Sequence, residues 1–375
     1  MKIFVFGSSV TSTYWNGAAT YYRGIYKNLH RLGHSIIFAE PDIYRRQQNR
    51  DIGDVDYADV RVYQTPTDLP QLLADAAKCD VVIKHSGVGA DDEYLERQVL
   101  ACSSDRTKVI FWDVDAPATL ARVEGNPNDP FRELIPNYDL VLTYGGGPPV
   151  VEHYVRLAAK GCIPIYNALD PDTHHPVEPD PELLCDLAFI GHRLPDRETR
   201  VEEFFLRAAT LAPRMSLLLG GEGWGSKNLP ANVRWIGHVG SEKHNVVNCS
   251  ARMVLNVNRE SMARIGFSPP TRIFEAAGSA ACVITDGWEG IESFFTPGKE
   301  ILPATNAENV VNHLFRVGRR EAQAIGTAML HRALREHTYQ LRAEKVNEIL
   351  EKLFDHNFST HPDIVASSAE TTLCS

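Results

Sequence analysis

The residues best placed to do chemistry lie in Gly266-Phe-Ser-Pro-Pro-Thr-Arg-Ile-Phe-Glu-Ala-Ala-Gly-Ser-Ala-Ala-Cys-Val-Ile-Thr-Asp286. Gly266 and Ser268 open a turn, and Pro269 and Pro270 stand where a first helical turn tolerates a missing N–H. Thr271 to Ala277 reads as a short helix ended by Gly278, and Ala280–Thr285 as an interior parallel strand. Glu275 is the lone carboxylate in that otherwise apolar helix. Backbone N–H groups at a helix start hold anions. With an acid one turn later, the pattern suits a nucleotide diphosphate, the phosphates at Gly266, Phe267 and Ser268 and ribose hydroxyls on Glu275.

Other candidate groups follow apolar runs. Gly7-Ser-Ser-Val-Thr-Ser-Thr-Tyr-Trp-Asn-Gly17 is a hydroxyl-rich loop that lacks the G-x-G-x-x-G dinucleotide spacing. It reads equally as an acceptor loop or a long surface loop. His85 ends one run, and Asp113 and Asp115, two residues apart, end another. Any of the three could take a proton from an acceptor hydroxyl, or simply hydrogen bond at a strand end. Gly191 and Arg193, Gly221, His238, and Arg259 close four later runs. Their glycines admit a ligand close to the backbone, and Arg193, Arg259 and Arg272 carry charge to neutralise phosphates. His174-His175 has no supporting cysteine or carboxylate pattern, so the pair reads as linker and no metal site is assigned.

These groups need a scaffold that brings strand ends together. Apolar runs alternate with helical patterns from Lys2 to Tyr166 and again from Asp186 to Thr285, which implies two tandem doubly wound parallel α/β sheets. Between them, Asn167–Asp186 has four prolines and no hydrophobic period, the best domain boundary in the chain. The expected division is a first domain over 1–170 and a second over 171–338, with a last helix at 339–356 returning to the first. A Ser/Thr-rich tail over 357–375 is expected to be disordered. Two such sheets would face a cleft, with ligands at the carboxyl ends of the strands.

Composition narrows the class. Hydrophobic residues make up 43% and charged residues 23%, and the net charge of -10 gives no general attraction for nucleic acid or anionic lipid. No apolar stretch approaches a membrane span, and the short amino-terminal run reads as a first strand rather than a signal peptide. Seven scattered cysteines without a C-x-x-C pair fit reduced thiols, so the expected location is the cytoplasm.

Glu275-Ala-Ala-Gly, Val283-Ile-Thr-Asp-Gly-Trp-Glu-Gly-Ile-Glu and Phe295-Thr-Pro-Gly-Lys-Glu-Ile together resemble the donor-site signature of GT-B glycosyltransferases. Asn258-Arg-Glu-Ser-Met and Gly266-Phe-Ser-Pro are similar to the CgeB-like group, named after a spore-maturation protein. Asn167-Ala-Leu-Asp-Pro resembles the segment that ends the first domain in such enzymes. The likeness covers most of residues 160–305. It implies transfer of a sugar from a nucleotide-diphosphate donor, UDP-linked, to an acceptor that is a small molecule, glycan, protein or nucleic acid, with no cofactor or metal required. Glu275 would hold the ribose, the Gly266–Ser268 turn would face the diphosphate, and Gly191 and His238 would lie near the phosphates and base. Many retaining relatives carry a second glutamate with seven residues between the two, and here Phe267 occupies that position. An inverting reaction with Asp115, Asp113 or His85 as base is therefore open. The rival reading is a non-catalytic nucleotide-sugar binder acting in an assembly. A Rossmann-type epimerase or dehydrogenase fits less well without the dinucleotide fingerprint.

Overall fold

The computed structural model describes residues 1–355, and the expected tail lies outside them. The described chain divides into two compact units, Met1–Tyr166 with residues 339–355, and Asn167–Thr338.

The first unit is a seven-stranded parallel sheet of β1 (Lys2–Phe6), β2 (Ser35–Pro41), β3 (Asp59–Tyr63), β4 (Val81–His85), β5 (Lys108–Asp113), β6 (Leu140–Thr143) and β7 (Cys162–Pro164). Their order is β3-β2-β1-β4-β5-β6-β7. The central strand β1 buries Ile3 through Phe6 completely, as a strand covered on both faces must. Strand β3 was not expected, because its Asp59-Val-Arg-Val-Tyr63 alternates charge with β-branched residues at the sheet edge. The helix Ala19–Arg31 buries Tyr21, Tyr22, Ile25, Tyr26 and Leu29 on one face. Its Gly24 has no Cβ because one would meet the Tyr339 ring at 2.3 Å. That close approach seats the helix Tyr339–Phe354 in this unit.

The second unit is a six-stranded parallel sheet of β8 (Cys185–Ile190), β9 (Leu217–Gly220), β10 (Val233–Trp235), β11 (Ala251–Asn256), β12 (Val283–Asp286) and β13 (Leu302–Ala304), ordered β10-β9-β8-β11-β12-β13. Both sheets step outward from their first strand and then restart on its other side, between β1 and β4 and between β8 and β11. Ligands of doubly wound folds bind at the carboxyl ends beside this reversal. The second core packs Leu187, Phe189, Leu217, Met253, Leu255 and Ile284 against helices that include Pro195–Val201 and Ala307–Arg316.

Three local expectations change. The proline-rich segment after Tyr166 is ordered on the second unit: Leu169 N–H donates to the His337 carbonyl at 2.8 Å and Asn167 Nδ2 to the Pro269 carbonyl at 3.1 Å. The strand expected from Ala280 begins at Val283, because Ala280 takes a left-handed φ of +54° and turns the chain. Gly278 serves close packing rather than a helix stop, since a Cβ there would meet the His174 carbonyl at 2.6 Å. Among the described residues no helix is long and apolar enough to cross a membrane.

Candidate active site

The carboxyl ends of β8 and β9 are fastened by their glycines. Gly191 N–H donates to the Gly220 carbonyl at 2.9 Å, and the Gly191 carbonyl accepts from Trp224 Nε1 at 2.8 Å. Gly221 has φ +119°, and a Cβ there would lie 2.3 Å from the Gly191 oxygen. Next to this seam the His192 and His238 rings stack, with centroids 6.0 Å apart and planes 11° from parallel.

Five arginines gather around these ends and the β11 end, and they differ in their partners. Arg193 pairs with Glu198 at 2.8 Å and Arg259 with Asp196 at 2.9 Å. Arg200 pairs with Asp286 at 2.6 Å and Glu260 at 2.9 Å. Arg197 and Arg272 form no ion pair among the described residues. Each guanidinium lies 5.6 Å from the centre of the Phe189 ring. Arg197 is 7% exposed; its Nη2 donates to the His192 carbonyl at 2.6 Å, and its Nε has no partner. Arg272 donates to Asn256 Oδ1 at 3.2 Å. Burial, reinforced by Arg272 and Arg259, pulls the Arg197 pKa down to about 9, and burial also lowers that of Arg272. Arg272 and Arg259 oppose the ionisation of Arg197, whereas the Glu275 and Asp286 carboxylates favour the charged form of Arg272, though neither arginine forms an ion pair with them.

Glu275 lies one turn into the helix Thr271–Gly278. Its burial favours the neutral acid, but His244 Nδ1 at 3.4 Å, His174 and Arg272 outweigh burial and bring its pKa down to about 2. The same pairing raises the His244 pKa against the opposing effect of burial. Glu275 is thus a carboxylate acceptor held in place by a histidine.

The turn before this helix offers fewer donors than expected. Phe267 N–H donates to the Glu289 carbonyl at 2.6 Å, Gly266 N–H to the Met262 carbonyl, and Ser268 Oγ to the Gly266 carbonyl. Pro269 and Pro270 have no N–H. Phe267 adopts a left-handed φ of +45°, and its ring lies where a side chain on Gly290 would be. The turn therefore has few free donors to offer an anion.

In the first unit His85 and Asp113 are corrected as candidate bases. Both are fully buried. His85 Nε2 pairs with the Tyr26 hydroxyl at 2.5 Å among the rings of Tyr22 and Trp112, and burial drives its pKa down to about 3. Asp113 accepts from Ser86 Oγ at 2.7 Å, Tyr154 OH at 2.5 Å, Thr119 Oγ1 at 3.1 Å and Asp115 N–H at 3.0 Å. A base enclosed in the core has no route to an acceptor hydroxyl. Asp115 is only partly buried and caps the start of the helix Ala116–Gly125, its carbonyl accepting from Ala118 N–H at 2.9 Å. The Gly7–Gly17 loop is fixed rather than free, because the buried Glu40 accepts from Val10 N–H at 2.7 Å and Thr11 Oγ1 at 2.5 Å.

With this geometry in hand, comparison with known proteins places the chain. A family model described as glycosyl transferase-like matches residues 197–348. Comparison with curated proteins finds no significant match. Similar solved structures include the sucrose-phosphate synthase tll1590 from Thermosynechococcus elongatus, 14% identical with a TM-score of 0.67 over 94% of this chain and 99% of that one. Anabaena Alr3699/HepE in complex with UDP-glucose is 12% identical with a TM-score of 0.63, over 94% of this chain and 99% of that one. AviGT4, a glycosyltransferase involved in avilamycin A biosynthesis, is 16% identical with a TM-score of 0.60, over 94% and 98% respectively.

The fold is that of the GT-B glycosyltransferases.

On the second unit of this GT-B fold, Gly191, Arg193, Gly221, His238, Arg259, Arg272 and Glu275 all fall on or beside the strand-end loops and the Glu275 helix. Arg197, His174 and His244 were missed. Arg197 looks like one more charge in the run Asp-Arg-Glu-Thr-Arg200, and only its burial sets it apart. His174 was read as linker because nothing in sequence shows that Gly278 lets it pack down onto the Glu275 helix.

Proposed function

We propose that the protein is a glycosyltransferase that moves a hexosyl or pentosyl group from a nucleotide-diphosphate sugar, UDP-linked, to an acceptor nucleophile without a catalytic metal, and that it belongs to the CgeB-like group. The observation that carries this reading is the pair of guanidiniums, buried Arg197 and half-buried Arg272, that form no ion pair among the described residues at the strand ends beside the β8/β11 reversal. A diphosphate supplies the missing charge with two anionic groups, and fork-shaped guanidiniums suit its oxygens. As the glycosidic bond breaks, negative charge grows on the departing diphosphate, and fixed cations stabilise it without reorganising. Glu275, kept ionised by His244, accepts from ribose hydroxyls. Asp115 serves as the base that receives the acceptor proton, the role for which His85 and Asp113 are too deeply buried. The complexes of HepE with UDP-glucose and with UDP support a UDP-linked donor.

Calorimetric titration with UDP tests this. Arg197→Met and Glu275→Ala should each weaken UDP roughly 100-fold, from the loss of a charge-assisted contact worth about 3 kcal/mol. Asp115→Asn should leave UDP affinity intact and lower turnover by roughly 100-fold or more. Wild-type affinity in both donor-side variants would refute the reading.

A further inference from the structure

Three side chains of the second unit converge beside the donor contacts. The turn 170–174 lies over the Glu275 helix because Gly278 lets it approach, and Asn245 Nδ2 ties it to the helix His244–Ser250 through the Thr173 carbonyl at 2.9 Å. His174, 6% exposed, is thereby placed beside His244 and Glu275. One ligating atom from each of the three lies within 4.8 Å of the others.

His174 Nδ1 lies 2.9 Å from the Thr173 hydroxyl, which is itself 3.2 Å from the Asp170 carbonyl. When that hydroxyl donates to the carbonyl, its oxygen accepts from His174 Nδ1–H. Nε2 then carries the lone pair, is buried, and has no partner. A buried acceptor without a donor costs free energy unless a ligand completes it. Metal-ligating histidines characteristically donate their other ring N–H in this way, which fixes ring orientation and raises ligand basicity.

We propose that His174, His244 and Glu275 form a binding site for a divalent transition-metal ion of the zinc class, and that the ion competes with the nucleotide. Two imidazoles and one carboxylate suit zinc rather than magnesium or calcium, and leave a fourth position for water. Tetrahedral bonds of about 2.1 Å put ligand atoms roughly 3.4 Å apart. The His244 Nδ1 to Glu275 Oε2 edge is already 3.4 Å, and the other edges, within 4.8 Å, need a contraction of at most roughly 1.4 Å. The metal-binding half rests on this geometry alone. The competition half rests on the reading that Glu275 holds the ribose, since a metal-bound carboxylate cannot also accept from hydroxyls. Such an ion would inhibit transfer rather than catalyse it.

The test uses untagged, chelator-treated full-length protein titrated with cobalt chloride by visible absorption and with zinc chloride by calorimetry. The expected result is one ion per chain with tetrahedral cobalt bands. His174→Ala and His244→Ala should lose more than roughly 100-fold in affinity, and Thr173→Val roughly tenfold, while exposed His175→Ala changes nothing. The partly exposed His244 keeps the test decisive if His174→Ala does not fold. UDP titrated in saturating zinc should bind at least tenfold more weakly. Absence of one-to-one zinc binding, or cobalt bands that survive His244→Ala, overturns the site. Metal binding as described, together with UDP affinity indifferent both to zinc and to Glu275→Ala, upholds the site and overturns the donor reading instead.

Discussion

At the strand ends of the first unit the buried carboxylates Glu40 and Asp113 are fully satisfied by the protein, whereas beside those of the second the buried Arg197 guanidinium and the half-buried Arg272 have few partners. Glu40 accepts four hydrogen bonds, from Val10 N–H, Thr11 N–H, Thr11 Oγ1 and Gln47 Nε2. Asp113 likewise accepts four. Arg197 and Arg272 have five donors apiece and are seen with one acceptor each, the His192 carbonyl and Asn256 Oδ1. The first unit has spent its buried charge on holding loops in place. In the second, Asp286 is likewise spent on Arg200, but Arg197 keeps its charge without an ion pair, at a cost in stability. Buried charge by itself therefore does not mark a binding site, and the proposed function rests on the charge that lacks an ion pair.

Three outcomes would break or sharpen this contrast. The largest effect is expected from Glu40→Ala, which strands the Val10, Thr11 and Gln47 donors. It should lower unfolding stability by about 3 kcal/mol in a denaturant titration and leave UDP affinity unchanged. A pure loss of affinity would show that the loop is a donor contact after all.

The second concerns pH, where the two units should respond in opposite directions. The folded-state pKa of His85 is depressed from 6.5 to about 3. The unfolded chain therefore takes up a proton that the folded chain refuses, and the first unit loses stability as pH falls from about 6.5 toward 3. His244 is raised. Its contribution is present below pH 6.5 and is lost as pH rises through its folded-state value. Hydrogen exchange at pH 5 and pH 8, corrected for intrinsic rates, should show 81–85 less protected at pH 5 and 244–250 less protected at pH 8. The same sign in both segments would contradict the assignments.

The smallest effect is expected from Arg197→Met in the absence of ligand. Removing an unpaired buried cation while keeping its apolar stem should raise stability by about 1 kcal/mol in thermal unfolding. A clear destabilisation would mean that Arg197 is a structural residue.

Much of the fold was legible because its signals are local. Interior strands such as Ile3–Phe6 are apolar runs, and the helix 19–31 shows its buried face in the spacing of Tyr22, Ile25, Tyr26 and Leu29. Two of the four edge strands escaped, β3 because Asp59 and Arg61 interrupt its apolar residues and β13 because Leu302-Pro-Ala304 is too short to show a period. In the site, Glu275 was legible as a carboxylate in an apolar helix. His85 and Asp113 misled because a polar residue at a strand end looks alike whether it faces a ligand or is roofed over by aromatic rings and tyrosine hydroxyls.

From residue types and their order alone, the protein is two parallel α/β sheets with a glutamate helix in the second, because hydrophobic period, helix stops and proline clusters act over a few residues. Which charges are spent and which are left over was decided only by tertiary structure. The Glu198, Asp196 and Asp286 carboxylates that neutralise Arg193, Arg259 and Arg200 reach them through the packing of strand ends and helices. That packing alone leaves Arg197 and Arg272 unpaired over one phenylalanine ring, and brings His174 across from a proline-rich segment to Glu275.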